Sequence, residues 1–297
     1  MASFSPLTPS GGATPYTYSY TGTLPAGLSF SAGTGAVTGT PTAAYATANL
    51  VFSVQDANNV VASTTSTVSF FVTGLNDTGI TSTQCYEAGS NVLVACNSAG
   101  AIALNNAQDG MAGRDANAST NSNADGKLGF SFTSVPAAGS DPGGCVQDNV
   151  TGLMWEVKTA DGGLRDWRKT YTNYDSTASA QKWNGSAYVA PTQTEIDAAT
   201  NSVGFKNSVN TQGLCGYSDW RLPTADELQS IVDYGVAVPG PTVDANWFPN
   251  TQGNVYWSAS PFVGYSDYAW FVSFNDGLVY GGLRYVSLYV RLVRAGQ

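Results

Sequence analysis

The sequence predicts an α+β chain, in which a small β-sandwich precedes a larger domain with two helices and a C-terminal antiparallel sheet. Across residues 1–74, short apolar runs alternate with turn residues at a period of two, as strands do. Two capping-box sequences in the second half mark the starts of helices, and only strand-like segments follow the second box. The length of 297 residues and the hydrophobic content of 42% are sufficient for more than one core.

Composition excludes several functional classes. The chain has 12 Lys and Arg residues and 21 Asp and Glu residues, which gives a net charge of -9. This acidic balance argues against nucleic acid as a partner. The chain has no histidine, the commonest general base and zinc ligand, so we expect no catalytic residues, no cofactor and no metal site. No apolar run is long enough to span a bilayer. The turn-rich sequence after Met1 does not resemble a signal peptide, so we expect a trimmed piece of a longer chain.

The N-terminal domain is predicted to span residues 1–74. The expected strands lie at residues 14–18, 28–30, 35–39, 50–54 and 68–72. Asp56 to Asn59 is predicted to form a hairpin connection between two alternating runs. The segments Leu24 to Phe30 and Gly35 to Pro41 resemble immunoglobulin-like domains that recur in many microbial surface proteins. The resemblance implies an immunoglobulin-like β-sandwich that acts as a spacer.

Residues 75–141 are rich in Asn, Ala, Gly and Ser and predict an irregular connecting region packed with the second domain. The four cysteines are an even number without C-x-x-C spacing, which favours disulfides and an oxidising compartment. Nearest pairing predicts Cys85 with Cys96 and Cys145 with Cys215. The segment from Asn121 resembles the opening of a calcium loop, but an apolar residue stands where a bidentate Glu should close it, so a polar turn is favoured.

Two helices are predicted in the second half of the chain. Thr192 and Glu195 form one capping box, and the apolar pattern runs from there to Gly213. Thr224 and Glu227 form the other, with an apolar stripe that ends before Gly235. The expected strands after it are residues 255–258, 268–274, 278–280 and 289–293, with a hairpin turn at residues 275–277.

Four segments in this half share a pattern. They are residues 148–155, 216–224, 256–260 and 289–294, and together they resemble the C-terminal domain of collagen-like bacterial adhesins. The resemblance implies a C-type-lectin-like fold over residues 142–297, related in shape to formylglycine-generating enzymes. Large buried anchors are expected at Trp155, Trp220 and Trp257. Side chains expected to fork onto carboxylates are Arg221, Arg291 and Arg294.

A second resemblance is confined to the C-terminal strands. Proteins diversified by retroelements, in which adenines of a template are randomised, end in a variable region on this fold with a fixed residue frame. The frame is present here as Ala269, Trp270, Val272, Phe274, Gly277, Val279 and Tyr289 to Arg291. The intervening residue types are reachable by adenine changes in an AAY codon, and residues 258–288 contain no Glu, Lys, Gln or Met. The chain therefore resembles a variable protein of a diversity-generating retroelement.

Strand alternation predicts that frame residues pack inward and that the residues between them face outward. Outward aromatic and small residues resemble an antibody paratope. We name the predicted ligand-binding residues the C-terminal face. They are Tyr265, Phe271, Ser273, Asn275, Leu278, Tyr280, Gly281, Gly282, Leu283, Tyr285, Ser287 and Leu288.

The predicted function is non-catalytic binding of a macromolecule, with a protein surface ranked before a glycan, at the cell or virion surface or outside the cell. A calcium-dependent glycan lectin is one alternative, but the C-terminal strands lack the Glu-Pro-Asn or Gln-Pro-Asp triplet of that class. A glycosaminoglycan adhesin is disfavoured by the acidic charge. An enzyme of the formylglycine-generating type would use late cysteines, and none follows Cys215.

Overall fold

The computed structural model describes residues 5–24, 28–39, 48–68, 76–116, 123–135, 144–176 and 180–295. The chain divides into two compact units, Met1–Gly74 and Leu75–Gly296. In the described residues, sheets dominate and four α-helices accompany them, which confirms the α+β class.

The first unit consists of five strands: β1 (Thr17–Thr21), β2 (Leu28–Phe30), β3 (Val37–Gly39), β4 (Ala48–Gln55) and β5 (Val61–Val68). Antiparallel pairing joins them into a β1-β4-β5 sheet and a β2-β3 ribbon. The core is formed by Val37, Leu50 and Phe52, which are buried. β1 begins later than predicted, after Pro15, which has no amide hydrogen for a ladder.

The predicted hairpin connection between β4 and β5 is confirmed. The Asp56 carboxylate accepts hydrogen bonds from the amides of Asn58 (2.9 Å) and Val60 (2.8 Å), and Asn59 has the positive φ of 64° that such turns require. Of the other predictions for this unit, residues 25–27, 40–41 and 69–72 lie outside the described residues.

The second unit contains nine strands and four helices in its described part. A four-stranded sheet has the order β14-β8-β7-β6, a three-stranded sheet has the order β11-β12-β13, and β9 and β10 form a hairpin. The strands are β6 (Phe132–Val135), β7 (Cys145–Asp148), β8 (Leu153–Glu156), β9 (Lys182–Trp183), β10 (Tyr188–Val189), β11 (Val255–Pro261), β12 (Tyr268–Ser273), β13 (Val279–Leu283) and β14 (Val293–Ala295). The helices are α1 (Ala99–Leu104), α2 (Gln193–Ile196), α3 (Ser202–Gln212) and α4 (Ala225–Gln229).

Both predicted disulfides are present: Cys85 pairs with Cys96, and Cys145 pairs with Cys215. The second links β7 to the turn that follows α3. An ion pair between Lys127 and Asp233, with a distance of 2.7 Å, also connects the segment 75–141 to the rest of this unit. At the candidate calcium loop, residues 121–122 lie outside the described residues, and residues 123–125 form a 3-10 turn.

The first predicted helix is interrupted, and this prediction was wrong in length. The Thr192 capping box and the Gly213 cap are present, but α2 ends at Ile196 and α3 starts at Ser202. The break is stabilised by Asn201, whose side chain is hydrogen-bonded to both main-chain polar groups of Tyr174 (2.8 and 3.0 Å). A side chain that binds backbone elsewhere competes with helix continuation.

Other boundaries also differ from prediction. α4 starts from the predicted Thr224 capping box but stops at Gln229, although the apolar stripe beyond it is buried. β13 spans Val279–Leu283 instead of the predicted 278–280, because β12 pairs with it as far as Tyr268. In the predicted strand 289–293, Tyr289 makes an isolated bridge to Tyr256, and β14 begins only at Val293.

The predicted anchors and two of the three arginine forks are confirmed. All three tryptophans are buried. Arg221 donates two hydrogen bonds to Glu227 (2.7 and 2.6 Å), and Arg294 donates two to Asp219 (2.7 and 3.1 Å). The expectation for Arg291 was wrong, because its guanidinium donates to the main-chain oxygen of Glu156 and to the Thr251 hydroxyl, both at 2.6 Å.

Candidate ligand-binding surface

The β11-β12-β13 sheet lies between two hydrophobic clusters. Tyr256 and Val272 face the first cluster, and Trp257 and Ala269 face the second. All four side chains are buried, so both faces of the sheet are covered at this end. The expectation that one face packs and the other is exposed was therefore wrong. The exposed fraction of the side chains instead increases across the sheet. β11 and β12 each contain buried residues, and β13 contains none.

The twelve residues of the C-terminal face divide into three groups by exposure. The exposed residues are Tyr265, Leu278, Tyr280 and Ser287. The half-buried residues are Phe271, Asn275, Gly281, Gly282, Leu283, Tyr285 and Leu288. One residue, Ser273, is buried, with only 5% of its surface exposed.

Ser273 is buried because it closes the β12-β13 hairpin. Its amide donates to the main-chain oxygen of Leu278 (2.9 Å), and its own oxygen accepts from the Gly277 amide (2.7 Å). The turn at residues 275–277 is thereby confirmed, with Gly277 at a φ of 77°. Its predicted outward position was wrong, because only 5% of its surface is exposed.

Phe271 and Leu288 are partly structural. Both pack against the second cluster, and the Phe271 ring lies 5.9 Å from the Trp257 ring. The main chain of Leu288 exchanges hydrogen bonds with Tyr171 at 2.7 and 3.0 Å. Each of these half-buried side chains therefore packs against the core and leaves only part of its surface for a ligand.

Three frame residues are less buried than predicted. Trp270, Val279 and Tyr289 are half-buried, whereas the other residues of the frame are buried. The Trp270 ring stacks on Phe262 at 4.5 Å. Phe262 also lies over Gly281, where a Cβ atom would come within 2.5 Å of the ring. A larger residue at position 281 would therefore require the Phe262 ring to shift.

Several aromatic residues beside the C-terminal face were not predicted from the sequence. Phe262 and Tyr268 contact each other and the predicted Tyr265, with ring centroids 5.8 to 5.9 Å apart. On the β9-β10 hairpin, Trp183 and Tyr188 are cross-strand partners with rings 5.2 Å apart. The Asn-Gly pair between these two strands is a hairpin signal that would have predicted the turn.

The hairpin is connected to the C-terminal face. The Tyr188 ring lies 6.3 Å from the Tyr285 ring, and the Ser266 hydroxyl donates to the main-chain oxygen of Ala180 (3.2 Å). We call Trp183, Tyr188, Phe262, Tyr265, Tyr268 and Tyr285 the aromatic surface.

The charged residues of segment 258–288 are Asp267, Asp276 and Arg284. Burial acts to raise the pKa of Asp276, but hydrogen bonds from Ser273, the Leu278 amide and the Tyr280 hydroxyl outweigh it, so the pKa is lowered and the carboxylate is ionised. Arg284 is buried and pairs inward with Asp175 at 2.9 Å. In residues 258–288 the remaining charged residue is Asp267. Arg284 is the one cation of this segment, and it therefore does not pair with Asp267 or Asp276.

A small β unit precedes a disulfide-linked α+β unit, whose C-terminal strands carry exposed aromatic side chains. These two domain types define an adhesin-like protein. The family profile described as Lcl C-terminal domain matches residues 144–294, and the one described as "Putative Ig domain" matches residues 1–73. Because the first match covers half of the chain, this protein belongs to the Lcl C-terminal domain family. No curated protein matches the chain.

The domain types and the disulfides indicate an extracellular or surface location, and neither matched family is of a catalytic kind. Within the described residues, no helix has the length and apolar character needed to span a membrane. In the same part of the chain, no three His, Cys, Asp or Glu side chains are placed to hold a metal ion.

Proposed function

We propose that this chain is a non-catalytic receptor or adhesin that binds a macromolecular ligand through its C-terminal face, displayed on a C-type-lectin-like scaffold. The distribution of exposed aromatic side chains carries the proposal. Five are exposed among the described residues, and only Tyr86 lies elsewhere. The other four, on the C-terminal face and the adjoining hairpin, are Trp183, Tyr188, Tyr265 and Tyr280. Clustered exposed aromatics are typical of interaction sites.

The support beneath this surface is a buried core. Trp257, Val272 and Val290 are fully buried, and none of them belongs to the C-terminal face. Exposed face positions can therefore change without loss of the cores that hold the sheet. This separation supports the further proposal that the C-terminal face varies in sequence among copies of the protein, as in variable proteins of diversity-generating retroelements.

A protein surface is the proposed ligand, since tyrosines among small residues give large contact area at a low cost in side-chain entropy. We further propose that binding requires no metal ion. Retention of affinity in the presence of a chelator is the expected result. Loss of affinity that is restored by calcium would favour a glycan lectin instead.

The test is binding of the full chain to arrays of surface proteins and of glycans. A variant with Tyr265→Ala, Tyr280→Ala and Tyr285→Ala together is expected to lose the ligand that the wild type binds. The matched control is Tyr86→Ala, which removes an exposed tyrosine from the connecting region and is expected to retain binding. Equal binding by the triple variant and the wild type would place the site elsewhere. Selective binding to the glycan array would replace the protein ligand with a glycan.

Sequence variability has its own test in the gene neighbourhood. A reverse transcriptase gene and a near-repeat of the segment that encodes Ser258 to Arg294 are expected beside the gene. Absence of both from the genome would leave an adhesin with a fixed binding face.

A further inference from the structure

Asp267 lies in the chain segment that carries Tyr265 and Tyr268 of the aromatic surface. Asp267 lies between Ser266, which is hydrogen-bonded to the hairpin segment, and Tyr268. Its main-chain oxygen accepts from the Arg284 amide (2.8 Å), while the guanidinium of Arg284 pairs with Asp175. In the described part of the chain, the Asp267 carboxylate forms no ion pair.

Asp267 and the hairpin meet at Tyr285. The main-chain hydrogen bond from Arg284 places Asp267 beside the segment that continues to Tyr285, and the Tyr285 ring lies 6.3 Å from the Tyr188 ring of the hairpin. The raised pKa of Tyr188 agrees with this arrangement, since desolvation raises it first and Tyr285, Asp267 and Tyr268 raise it further. The ring faces of tyrosine and tryptophan attract cations, and a carboxylate beside them adds to that attraction.

The cations of this region are already neutralised. Lys182, next to Trp183 on the hairpin, pairs with Glu195, and Arg284 is turned inward. The half-buried Asp267 is left as the charge of this region without an ion pair in the described residues, within a chain of net charge -9. Charge complementarity favours a basic partner over an acidic or sulfated one.

We propose that Asp267, Tyr188 and Tyr285 form a subsite that binds a lysine or arginine side chain of the partner protein. Asp267 forms the ion pair, and the two rings contact the cation and its aliphatic stem. The inference rests on the proposed function and narrows its ligand to a basic protein surface. It also makes the β9-β10 hairpin a fixed wall of the binding site, outside the segment proposed to vary.

The experiment measures binding of the full chain to a fluorescent oligolysine peptide, with the fully acetylated peptide as the uncharged probe. The wild type is expected to bind only the charged probe. Asp267→Asn, Tyr188→Ala and Tyr285→Ala are each expected to weaken binding by about fivefold, the size of one exposed ion pair or cation-π contact. Tyr188→Phe keeps the ring and is expected to stay within about twofold of wild type.

The matched control is Glu87→Gln, which removes the same charge from the connecting region and is expected to leave affinity within about twofold of wild type. Equal losses in Asp267→Asn and Glu87→Gln would show general charge attraction and overturn the subsite, as would equal binding of the two peptides. A ligand from the arrays that the triple tyrosine variant loses but Asp267→Asn retains would overturn the subsite alone. In that case the proposed function would stand. Thermal unfolding of each variant separates loss of contact from loss of fold.

Discussion

The indole N–H of Trp257 donates a hydrogen bond to the main-chain oxygen of Tyr171 at 2.9 Å. Tyr171 is itself buried, and its ring lies 4.5 Å from that of Phe205 in α3. One side chain of β11 therefore links the C-terminal sheet to the loop before the hairpin and, through it, to the helix. The stability of the sheet and the position of the C-terminal face depend on this link.

Trp257→Ala is expected to lower the free energy of unfolding by about 3–5 kcal/mol, because it removes a fully buried ring and its hydrogen bond. Tyr265→Ala, at a residue with 60% of its surface exposed, is expected to change it by less than about 1 kcal/mol. Denaturant unfolding of the two variants is the measurement. Similar losses for both would mean that the C-terminal face is part of the core.

Local signals in the sequence predicted much of this fold. The capping boxes at Thr192 and Thr224 and the turn at Gly277 were found because each depends on residues close in sequence. The break before α3 was missed because Asn201 binds backbone near Tyr174, which is distant in sequence. The alternation of residues also predicted Ser273 wrongly as exposed. A period of two shows which face of a strand a side chain lies on, but it does not show whether that face is covered.

The candidate site was predicted in part for the same reason. Residues such as Tyr265 and Tyr280 lie in one segment and could be found from its pattern. Trp183 and Tyr188 are far from this segment in sequence. The contact of Tyr188 with Tyr285 and the hydrogen bond from Ser266 to Ala180 show that the hairpin adjoins the C-terminal face. Long-range contacts of this kind leave no periodic signal.

The two disulfides are expected to differ in their contribution to stability. Loop-entropy models assign roughly 4 kcal/mol to Cys145–Cys215, with 70 residues of separation, and roughly 3 kcal/mol to Cys85–Cys96, with 11. Replacing both cysteines of one pair by Ala, and comparing thermal unfolding of the two double variants, tests this order. A larger loss from the Cys85–Cys96 variant would contradict it.

Asp115 is expected to make stability fall as pH rises. Desolvation raises the pKa of this buried carboxyl to about 6, and the nearby Asp77 and Asp109 act in the same direction. Because the folded state holds the proton more tightly than the unfolded state, stability is highest below the ordinary value of 3.8 and declines as pH rises through about 6.

Asp115→Asn removes that dependence. Relative to wild type, the variant is expected to gain about 1–3 kcal/mol between pH 4 and pH 7.5, which follows from the size of the pKa shift. Denaturant unfolding at several pH values measures the difference. A difference that stays constant across this range would show that Asp115 does not titrate in this way.

The last prediction concerns the buried pair of Glu156 and Lys158, whose charged atoms lie 2.8 Å apart. Desolvation lowers the pKa of Lys158 to about 8, while Glu156 acts to raise it. Glu156 also accepts a hydrogen bond from the amide of Leu292 (2.8 Å), the residue before β14, and the Lys158 cation lies 4.5 Å from the centre of the Phe205 ring. The pair thus joins β8, the C-terminal segment and α3.

Lys158→Met leaves the Glu156 carboxylate buried without this cation and is expected to lower the free energy of unfolding by about 3–5 kcal/mol. The double variant Glu156→Gln with Lys158→Met keeps the acceptor for Leu292 and removes both charges. It is expected to recover most of that loss, because apolar and neutral replacements of a complete buried pair are often close to neutral. The coupling energy from the four-protein cycle is expected to be about 2 kcal/mol, and unfolding losses that simply add would show that the two charges do not stabilise each other.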